Sequence, residues 1–383
     1  MSYQVAFFVS WREMIMRTGN PISVSLPGRG TADNPPNRFE PLLLETDGEW
    51  LESERLDGEL PRKVATQFFS DHSRSVLSRN NSPDVGFDYS INPYRGCEHG
   101  CTYCYARPTH EFLGLSAGLD FETRIMVKGD APRLLDRELR SRRWRPQVIA
   151  LSGDTDCYQP IERRMRITRR VLEVLARFGN PVEIITKNAL VLRDADILAD
   201  MAARDLARVT LSVTSLDPDL ARSMEPRAST PAQRLAAIAG LARAGIPVRV
   251  NVAPVIPGLN DHEIPAILKA AAEAGAGAAN AMLVRLPFSV KDLFVDWLRK
   301  DHPLRADRVI HAIRSVRGGR LSETRFSIRH KGEGVRAEAI FDMFAIHCRR
   351  LGLSTSPEPL ATHHFRVPPE PERQLSLGLE EMD

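Results

Sequence analysis

The sequence has little net charge, no long hydrophobic run and no nucleotide-binding glycine motif. Its 52 basic and 49 acidic residues leave a formal net charge of +3, which is too small to predict nucleic-acid binding by itself. The apolar run at residues 5–9 is too short to span a membrane, so we expect a soluble protein without a membrane partner. No Gly-x-Gly-x-x-Gly follows the first predicted strand, which counts against a dinucleotide-binding fold.

Cysteine is also scarce, with five residues in a chain of 383. Three of them are clustered, and an odd set in a chain of this length is not a disulfide framework. We therefore expect free thiols and a cytoplasmic protein, because a reducing compartment keeps thiols unpaired.

The clustered cysteines are Cys97, Cys101 and Cys104, and Tyr103 stands immediately before the last one. A short loop with this Cys-x3-Cys-x2-Cys spacing can bring three thiolates to one face of an inorganic ligand. Thiolates are the ligands of iron–sulfur clusters. A four-iron cluster held by three cysteines leaves one iron free to bind a substrate or cofactor.

The alternative to an iron–sulfur cluster is a zinc loop. A structural zinc ion needs four protein ligands, and the fourth would be His99, His110 or a distant cysteine. The chain would then be a zinc-stabilised binding protein without enzymatic activity.

Short β-rich runs alternate with segments that are apolar at helical spacing. The runs are residues 148–151, 182–185, 209–213, 248–252 and 282–286. The helical segments are Ala131–Arg142, Arg166–Phe178, Leu190–Arg204, Pro231–Ala244 and His262–Ala274. With the strand that leads into the cysteine loop, this alternation predicts an α/β fold, a partial (β/α)6 TIM-like barrel. Sites in such barrels lie at the carboxyl ends of the strands, where the cysteine loop also lies.

We divide the chain into four parts. Residues 1–87 form an N-terminal extension that we expect to be partly disordered, and residues 88–302 form the core domain. Residues 303–352 form a small C-terminal cap with an extended piece at Arg325–Arg329. Residues 353–383 form a tail rich in proline and glutamate, which we expect to be disordered.

The Cys-x3-Cys-x-Tyr-Cys motif resembles that of the radical S-adenosylmethionine (SAM) superfamily. The resemblance implies a [4Fe-4S] cluster held by Cys97, Cys101 and Cys104, with SAM chelated through its methionine end to the open iron. It implies an enzyme that cleaves SAM reductively to a 5′-deoxyadenosyl radical, which abstracts a hydrogen atom. It also implies an electron donor such as flavodoxin or ferredoxin.

Three further segments resemble the DNA-repair-photolyase branch of this superfamily, which is related to spore photoproduct lyase. They are the lead-in Ser90–Cys97, the pair Thr186-Lys187 after the third strand, and Ser212-Val213-Thr214 in the fourth. The resemblance covers about residues 88–300 and does not determine the substrate. Modification of RNA, a peptide or a small molecule therefore remains an alternative to DNA.

The second strand ends in a turn of small and acidic residues that contains Gly153, Asp154, Thr155 and Asp156. Such residues let the backbone approach a ligand and offer acceptors to an ammonium group. The resemblance implies that this turn receives the amino group of SAM. The alternative is an ordinary turn in which Asp or Thr caps the next helix.

Polar residues also end the third and fourth strands. Lys187 is a candidate partner for the SAM carboxylate, with a surface lysine as the alternative. Ser212 and Thr214 point to the same side of their strand, where they suit ribose or methionine contacts. Hydroxyls satisfied by the backbone are the alternative there.

Further candidates complete the SAM site that the resemblance implies. Val255 and Ile256, in a Val-Ile-Pro-Gly corner, would pack beside adenine, and Tyr103 is the aromatic residue of the cysteine motif. Glu225, in the loop after the fourth strand, adds either polar contacts or a structural ion pair.

Gly153 has a second implication. In spore photoproduct lyase, the resemblance implies a hydrogen-donating cysteine at the end of strand two, and Gly153 occupies that position here. Cys157 lies four residues later and is a candidate hydrogen donor. Its alternative is a partly buried and unreactive thiol.

Nucleic acid is a candidate partner because arginines are grouped at residues 137–145, 163–170 and 314–336, the last group with Phe326. Phosphate contacts need such charge on one face of a protein. The alternative is a set of solvated helix surfaces, because acidic residues balance the arginines overall.

Overall fold

The computed structural model describes residues 26, 28–39, 64–356 and 358–369. The predicted disorder of the extension and tail falls in part on residues outside these ranges. The strands are β1 (Gln67–Ser70), β2 (Leu77–Arg79), β3 (Tyr89–Ile91), β4 (Tyr94–Arg95), β5 (Arg124–Val127), β6 (Ile149–Leu151), β7 (Val182–Thr186), β8 (Ala207–Ser212), β9 (Val248–Val255) and β10 (Ala278–Leu283).

Helices connect these strands. They are α1 (Leu119–Thr123), α2 (Ala131–Leu139), α3 (Glu162–Met165), α4 (Ile167–Phe178), α5 (Ala195–Ala202), α6 (Pro218–Met224), α7 (Pro231–Arg243), α8 (Ile264–Glu273), α9 (Val290–Asp301), α10 (Pro303–Ser315), α11 (Ile328–Lys331) and α12 (Val335–Leu351). Short 3-10 helices lie at Arg107–Leu113, Ala189–Asp194 and Asp261–Glu263. No helix in the described ranges is long and apolar enough to cross a membrane.

Seven strands form the main sheet in the order β10-β9-β8-β7-β6-β3-β2. Strands β3 and β6 to β10 pair in parallel, and β2 runs antiparallel to β3 at one edge. Six parallel strands joined by helices confirm the predicted α/β fold and its partial barrel. Their carboxyl ends therefore meet at one mouth, which begins with the cysteine loop after β3.

The sequence explains why these elements form. Strands β6 to β9 are almost entirely buried, as expected for parallel strands that helices cover. Helix α7 begins with a capping box, in which Thr230 and Gln233 each bond the backbone of the other. Helix α4 ends at Gly179, whose φ of +64° suits glycine.

The predicted strands correspond to β6 through β10, but β10 begins earlier than the predicted 282–286 run. A second sheet, in the order β1-β5-β4, was not predicted. In it β1 pairs in parallel with β5, and β4 pairs antiparallel with β5. Part of the predicted extension thus pairs with the strand that follows the cysteine loop.

The prediction of an extended piece at Arg325–Arg329 is wrong, because turns and helix α11 occupy this region. The Glu323 carboxylate accepts the next two backbone N–H groups and pairs with Arg325, which folds the chain back on itself. Ser327 then adopts a φ of +66°, and its N–H donates to Asp84. Local side-chain acceptors therefore compete with an extended backbone here.

Residues 358–369 of the predicted tail lie against the core. The ring of Phe365 stacks on Phe178 with 6.0 Å between centroids, and the Arg366 N–H donates to the Phe178 carbonyl at 2.9 Å. The Arg140 guanidinium donates to the Pro368 carbonyl at 2.8 Å. The division of the chain into four parts remains a prediction.

Candidate active site

The cysteine loop, residues 92–107, follows β3 at the mouth of the sheet. Cys97 and Cys101 are buried and Cys104 is half-buried. Gly96 and Gly100, with φ of +80° and +67°, make the turns of the loop, because L side chains rarely adopt such angles. Side chains larger than glycine would also collide at Gly96, where an added Cβ would lie 2.9 Å from the Phe121 carbonyl oxygen.

The three thiols are free and close enough to influence one another. Burial raises the pKa of Cys97 well above its usual value, and the charges of Asp156, Cys101 and Cys104 raise this pKa further. Burial also raises the pKa of Cys101 and of Cys104. Each cysteine therefore carries a proton that a bound metal would displace.

We tested whether this donor set fits an iron–sulfur cluster. In the described part of the chain, no three Cys, His, Asp or Glu side chains are grouped around a single metal position. A cluster distributes its thiolate ligands over several irons, so it asks only that the thiols share one loop and face. Cys97, Cys101 and Cys104 meet this requirement and therefore fit a cluster.

The buried ion pair between Arg107 and Glu122 supports the cysteine loop. Arg107 donates to the Cys101 carbonyl at 3.0 Å and to Glu122 at 2.5 Å, and both side chains are fully buried. The N-terminal segment closes over this pair, since the Gly30 N–H donates to Glu122 at 3.0 Å. An added Cβ at Gly30 would lie 1.7 Å from the Gly100 carbonyl oxygen, so this segment packs directly on the loop.

A second buried network holds Tyr103. Its hydroxyl donates to Glu225, which also accepts from Thr214 at 2.6 Å and pairs with Arg234. Arg234 in turn donates to the Ser212 carbonyl at 3.0 Å. Burial alone would raise the pKa of Glu225, but Arg234, Lys187 and these hydrogen bonds lower it to about 2.

The turn after β6 lies beside the loop. Asn92 accepts from the N–H groups of Asp154 and Thr155, and the Thr155 hydroxyl donates to the Tyr94 carbonyl. Gly153 accepts a hydrogen bond from the Tyr105 hydroxyl through its carbonyl. The exposed residue of this turn is Asp154. Gly153 and Asp154 are therefore better placed than Thr155 to meet a ligand.

Asp156 ties neighbouring strand ends together. Its carboxylate accepts from the Thr186 hydroxyl at 2.7 Å and from the Lys187 N–H at 2.8 Å. It also lies 3.4 Å from the His99 Nδ1 inside the cysteine loop. These contacts already occupy both carboxylate oxygens, so Asp156 positions the loop and strands.

The Lys187 ammonium lies over the Tyr103 ring, 5.9 Å from its centroid. Its charge lowers the pKa of Cys101 and Cys104 against the effect of burial, so it faces the cysteine loop. Among the described residues, no carboxylate lies within 4.0 Å of its Nζ. A half-buried cation without a carboxylate partner is suited to an anionic ligand.

The remaining predicted contacts lie along the same mouth. Ile256 packs in one apolar cluster with Cys101 and Tyr103, while Val255 belongs to the main core. Ser212 is buried at the end of β8, and the Thr214 hydroxyl is already bonded to Glu225.

The histidines proposed as zinc ligands have other contacts. The His99 Nδ1 lies near Asp156, and its Nε2 lies 3.3 Å from the Asn188 amide. The His110 Nε2 lies 2.9 Å from the Arg124 carbonyl oxygen, and its ring packs edge-on against Phe121.

The two remaining cysteines lie in the main apolar core. Cys157 is fully buried, and burial raises the pKa of its thiol well above the usual value. Cys348 belongs to helix α12 and packs in the same core.

Comparisons with known proteins now identify the family. The model of the Radical SAM superfamily matches residues 91–271. An uncharacterized protein of Mycobacterium tuberculosis is 38% identical over 233 residues, which is 60% of this chain and 68% of that protein. An uncharacterized protein of Methanocaldococcus jannaschii is 29% identical over 179 residues, or 46% of this chain and 64% of that protein.

The chain belongs to the radical SAM superfamily. Membership implies an enzyme that uses a [4Fe-4S] cluster and SAM, and radical SAM enzymes generally need a reductant.

Solved structures agree in fold. Spore photoproduct lyase complexed with dinucleoside spore photoproduct has a TM-score of 0.51 at 16% identity, covering 75% of this chain and 80% of that chain. A variant of that lyase with bound AdoMet and dinucleoside spore photoproduct has a TM-score of 0.50 at 15% identity, covering 80% and 92%. Identities this low show the fold of this radical SAM protein and leave its substrate open.

Arg234 is among the residues of the site that went unpredicted. Arg234 completes the ion pair that the sequence allowed for Glu225. The sequence feature that could have revealed Arg234 is its position one turn after the Thr230 cap, on the buried face of an alanine-rich helix. Arginine is rarely fully buried unless paired, so composition alone places it at the surface.

Proposed function

We propose that this protein is a radical SAM enzyme whose cluster is held by Cys97, Cys101 and Cys104. The observation that carries the proposal is the position of these three free cysteines, in one loop at the carboxyl ends of the parallel strands. When bound and reduced by one electron, the cluster would supply the electron that cleaves SAM to methionine and a 5′-deoxyadenosyl radical, and this radical would take one substrate hydrogen atom to become 5′-deoxyadenosine.

The residues of the mouth orient SAM. Lys187 faces the cysteine loop without a carboxylate partner among the described residues, which suits the SAM carboxylate. The turn at Gly153 and Asp154 offers a backbone carbonyl and an exposed carboxylate to the amino group. Ser212 belongs to the same proposed set.

Other predicted contacts act by positioning. Tyr103 and Thr214 are joined to Glu225, and Thr155 and Asp156 hold the turn after β6. Ile256 supplies apolar surface beside Tyr103, with Val255 behind it in the core. These hydrogen-bonded and apolar contacts form rigid walls around the proposed SAM position, which orient SAM and keep water away from the radical.

The electron comes from an external donor, and we propose a flavodoxin or ferredoxin in the cytoplasm. The substrate that loses hydrogen is unknown. A DNA-repair-photolyase-like activity on nucleic acid is one candidate, and modification of RNA, a peptide or a small molecule is the other.

The test is anaerobic reconstitution with iron and sulfide, followed by incubation with dithionite and SAM. We expect four irons per chain, a cluster spectrum that SAM perturbs, and slow release of 5′-deoxyadenosine. Zinc without acid-labile sulfide in the purified protein would instead establish a zinc-stabilised binding protein.

A further inference from the structure

Residues that follow β10 take part in three arginine–aromatic pairs, one of them with Tyr105 of the cysteine loop. The Arg285 guanidinium lies 5.2 Å from the centroid of the Tyr105 ring. Arg329 lies 4.5 Å from the ring of Phe326, and Arg38 lies 3.7 Å from that of Phe288. We call these six residues the arginine–aromatic rim.

The rings of the rim are unusually accessible. Tyr105 is 44% exposed, Phe326 is 53% exposed and Phe288 is 54% exposed. Large aromatic side chains usually bury most of their surface, so an exposed series of them marks a binding surface.

Arg285 differs from the other two arginines of the rim. Arg38 pairs with Glu111 and Arg329 pairs with Asp84, whereas Arg285 has no carboxylate within 4.0 Å among the described residues. It donates to the His330 Nε2 at 3.4 Å and is half-buried.

The neighbours of Arg285 are also positively charged. Burial lowers the pKa of Arg285 and the charge of Arg329 also lowers it, while Tyr105 and Asp84 act in the opposite direction. A half-buried cation among like charges is stabilised when an anion binds to it.

The rim adjoins the reacting centre. Tyr105 directly follows Cys104, and its hydroxyl donates to the Gly153 carbonyl in the turn beside the cysteine loop. A ligand anchored at Arg285 and stacked on Tyr105 would therefore lie next to the proposed position of SAM.

We infer that the substrate of this site is a single-stranded nucleic acid, with one phosphodiester held by Arg285 and its bases stacked on the exposed rings of the rim. The inference rests on the proposed function and names its substrate class. Guanidinium groups bind phosphate bidentately, and aromatic faces beside arginine stack bases without regard to sequence. A base must leave its duplex before its atoms reach a buried reacting centre, and a single strand presents its bases without this unpairing cost.

The experiment measures fluorescence anisotropy of labelled oligothymidylate and oligouridylate with the anaerobically reconstituted holoenzyme. We expect both to bind, with the tighter one indicating DNA or RNA as the source of the phosphodiester. Arg285→Gln should weaken binding about tenfold and reduce the slope of log affinity against log salt by about one. Arg243→Gln changes an exposed arginine at the end of α7, before β9 at the opposite end of the sheet, and should alter neither the affinity nor the salt slope.

An oligothymidylate with uncharged methylphosphonate linkages tests the same contact without a variant. The wild-type protein should bind it far more weakly, and Arg285→Gln should lose little further affinity for it. Equal binding by wild type and Arg285→Gln, or equal losses in Arg285→Gln and Arg243→Gln, would overturn the inference. Displacement of the oligonucleotide by a polyglutamate peptide at equal charge concentration would overturn it in favour of an acidic peptide.

The outcome is separable from that of the proposed function. If 5′-deoxyadenosine forms but neither oligonucleotide binds, the substrate inference fails and the radical SAM assignment stands. If the oligonucleotides bind as expected but no iron–sulfur cluster assembles, the assignment fails and the nucleic-acid site stands.

Discussion

The two sides of the mouth use charge in opposite ways. On the cysteine-loop side, Arg107 pairs with Glu122 and Arg234 pairs with Glu225, and all four side chains are buried. On the rim side, Arg285 is held among other positive charges with no carboxylate within 4.0 Å in the described chain.

The difference distinguishes charges that hold the protein structure in place from a charge that is available to bind a ligand. Paired buried charges fix backbone carbonyls and side chains in one geometry, as a cofactor with a fixed position requires. A cation left among like charges costs stability in the free protein, and such local exceptions concentrate at functional sites. The experiments below test each side of this comparison.

The largest effect is expected for the cysteines themselves. Cys97→Ala, Cys101→Ala or Cys104→Ala should each abolish cluster assembly and 5′-deoxyadenosine release, because a cluster bound by two thiolates is not retained. Iron, sulfide and 5′-deoxyadenosine analysis measures this. Cys348→Ala, which removes a core thiol far along the chain, is the matched control and should keep the full iron content. A complete cluster in any one of the three loop variants would refute the ligand assignment.

The next largest effect is expected for a buried ion pair on the cysteine-loop side. Arg234→Met leaves the Glu225 carboxylate buried beside Tyr103, which should lower the free energy of unfolding by about 3–5 kcal/mol. Thermal and urea unfolding at pH 7 measure this change.

The control for this variant is an exposed ion pair. Arg222→Gln removes the pairing with Asp219 on helix α6, where both side chains are largely exposed. Its effect should stay below about 1 kcal/mol. Equal losses in both variants would show that the Glu225–Arg234 pair does not support the loop.

Lys187 tests the boundary between the two sides, because its ammonium faces the cysteine loop and has no carboxylate within 4.0 Å among the described residues. Lys187→Ala should weaken SAM binding by about 1.5–3 kcal/mol, through loss of a charge-assisted hydrogen bond. Equilibrium binding of SAM to the reconstituted protein measures this, and iron content should not change. Lys269→Ala, an exposed lysine on α8, is the control. Unaltered SAM affinity in Lys187→Ala would remove Lys187 from the site.

Much of this geometry follows from the sequence, since apolar strands and amphipathic helices alternate over six repeats. The cysteine spacing likewise predicts the position of the loop. The start of β10 was missed because Ala278 to Asn280 have low β-propensity. The β1–β5 pairing was missed because it joins segments far apart in the chain. The buried arginines were missed because arginine is typical of surfaces, and only the fold shows which carboxylate each one meets.

Gly153 accepts a hydrogen bond from Tyr105 beside the cysteine loop, and its lack of a thiol has a consequence for repair chemistry. We expect no efficient conversion of dinucleotide spore photoproduct to thymidine by the wild-type enzyme, because Gly153 has no thiol hydrogen to donate and Cys157 is buried in the core. Assay with reduced enzyme and SAM measures this. Clean conversion that is lost in Cys157→Ala would show that Cys157 is the donor.

Gly153→Cys is the matched variant for this assay. An added Cβ at Gly153 would lie 3.5 Å from the Ser90 Oγ, which is ordinary van der Waals contact, so the substitution fits without displacing its neighbours. If conversion is limited by the missing thiol, product should appear in this variant alone.

The smallest effect concerns the protonation of His330 on the rim side. Burial, together with the charges of Arg285, Arg329 and Arg317, lowers its pKa to about 4 against the opposing effect of Asp84. A lowered pKa keeps the imidazole neutral from pH 7 to about 5.5, whereas an unperturbed histidine gains charge in that window. The affinity ratio of wild type to His330→Gln for oligothymidylate should therefore stay constant across it. If the wild-type affinity instead rises severalfold relative to His330→Gln on acidification, His330 becomes charged in this pH window. Burial and the neighbouring arginines would then not keep its imidazole neutral.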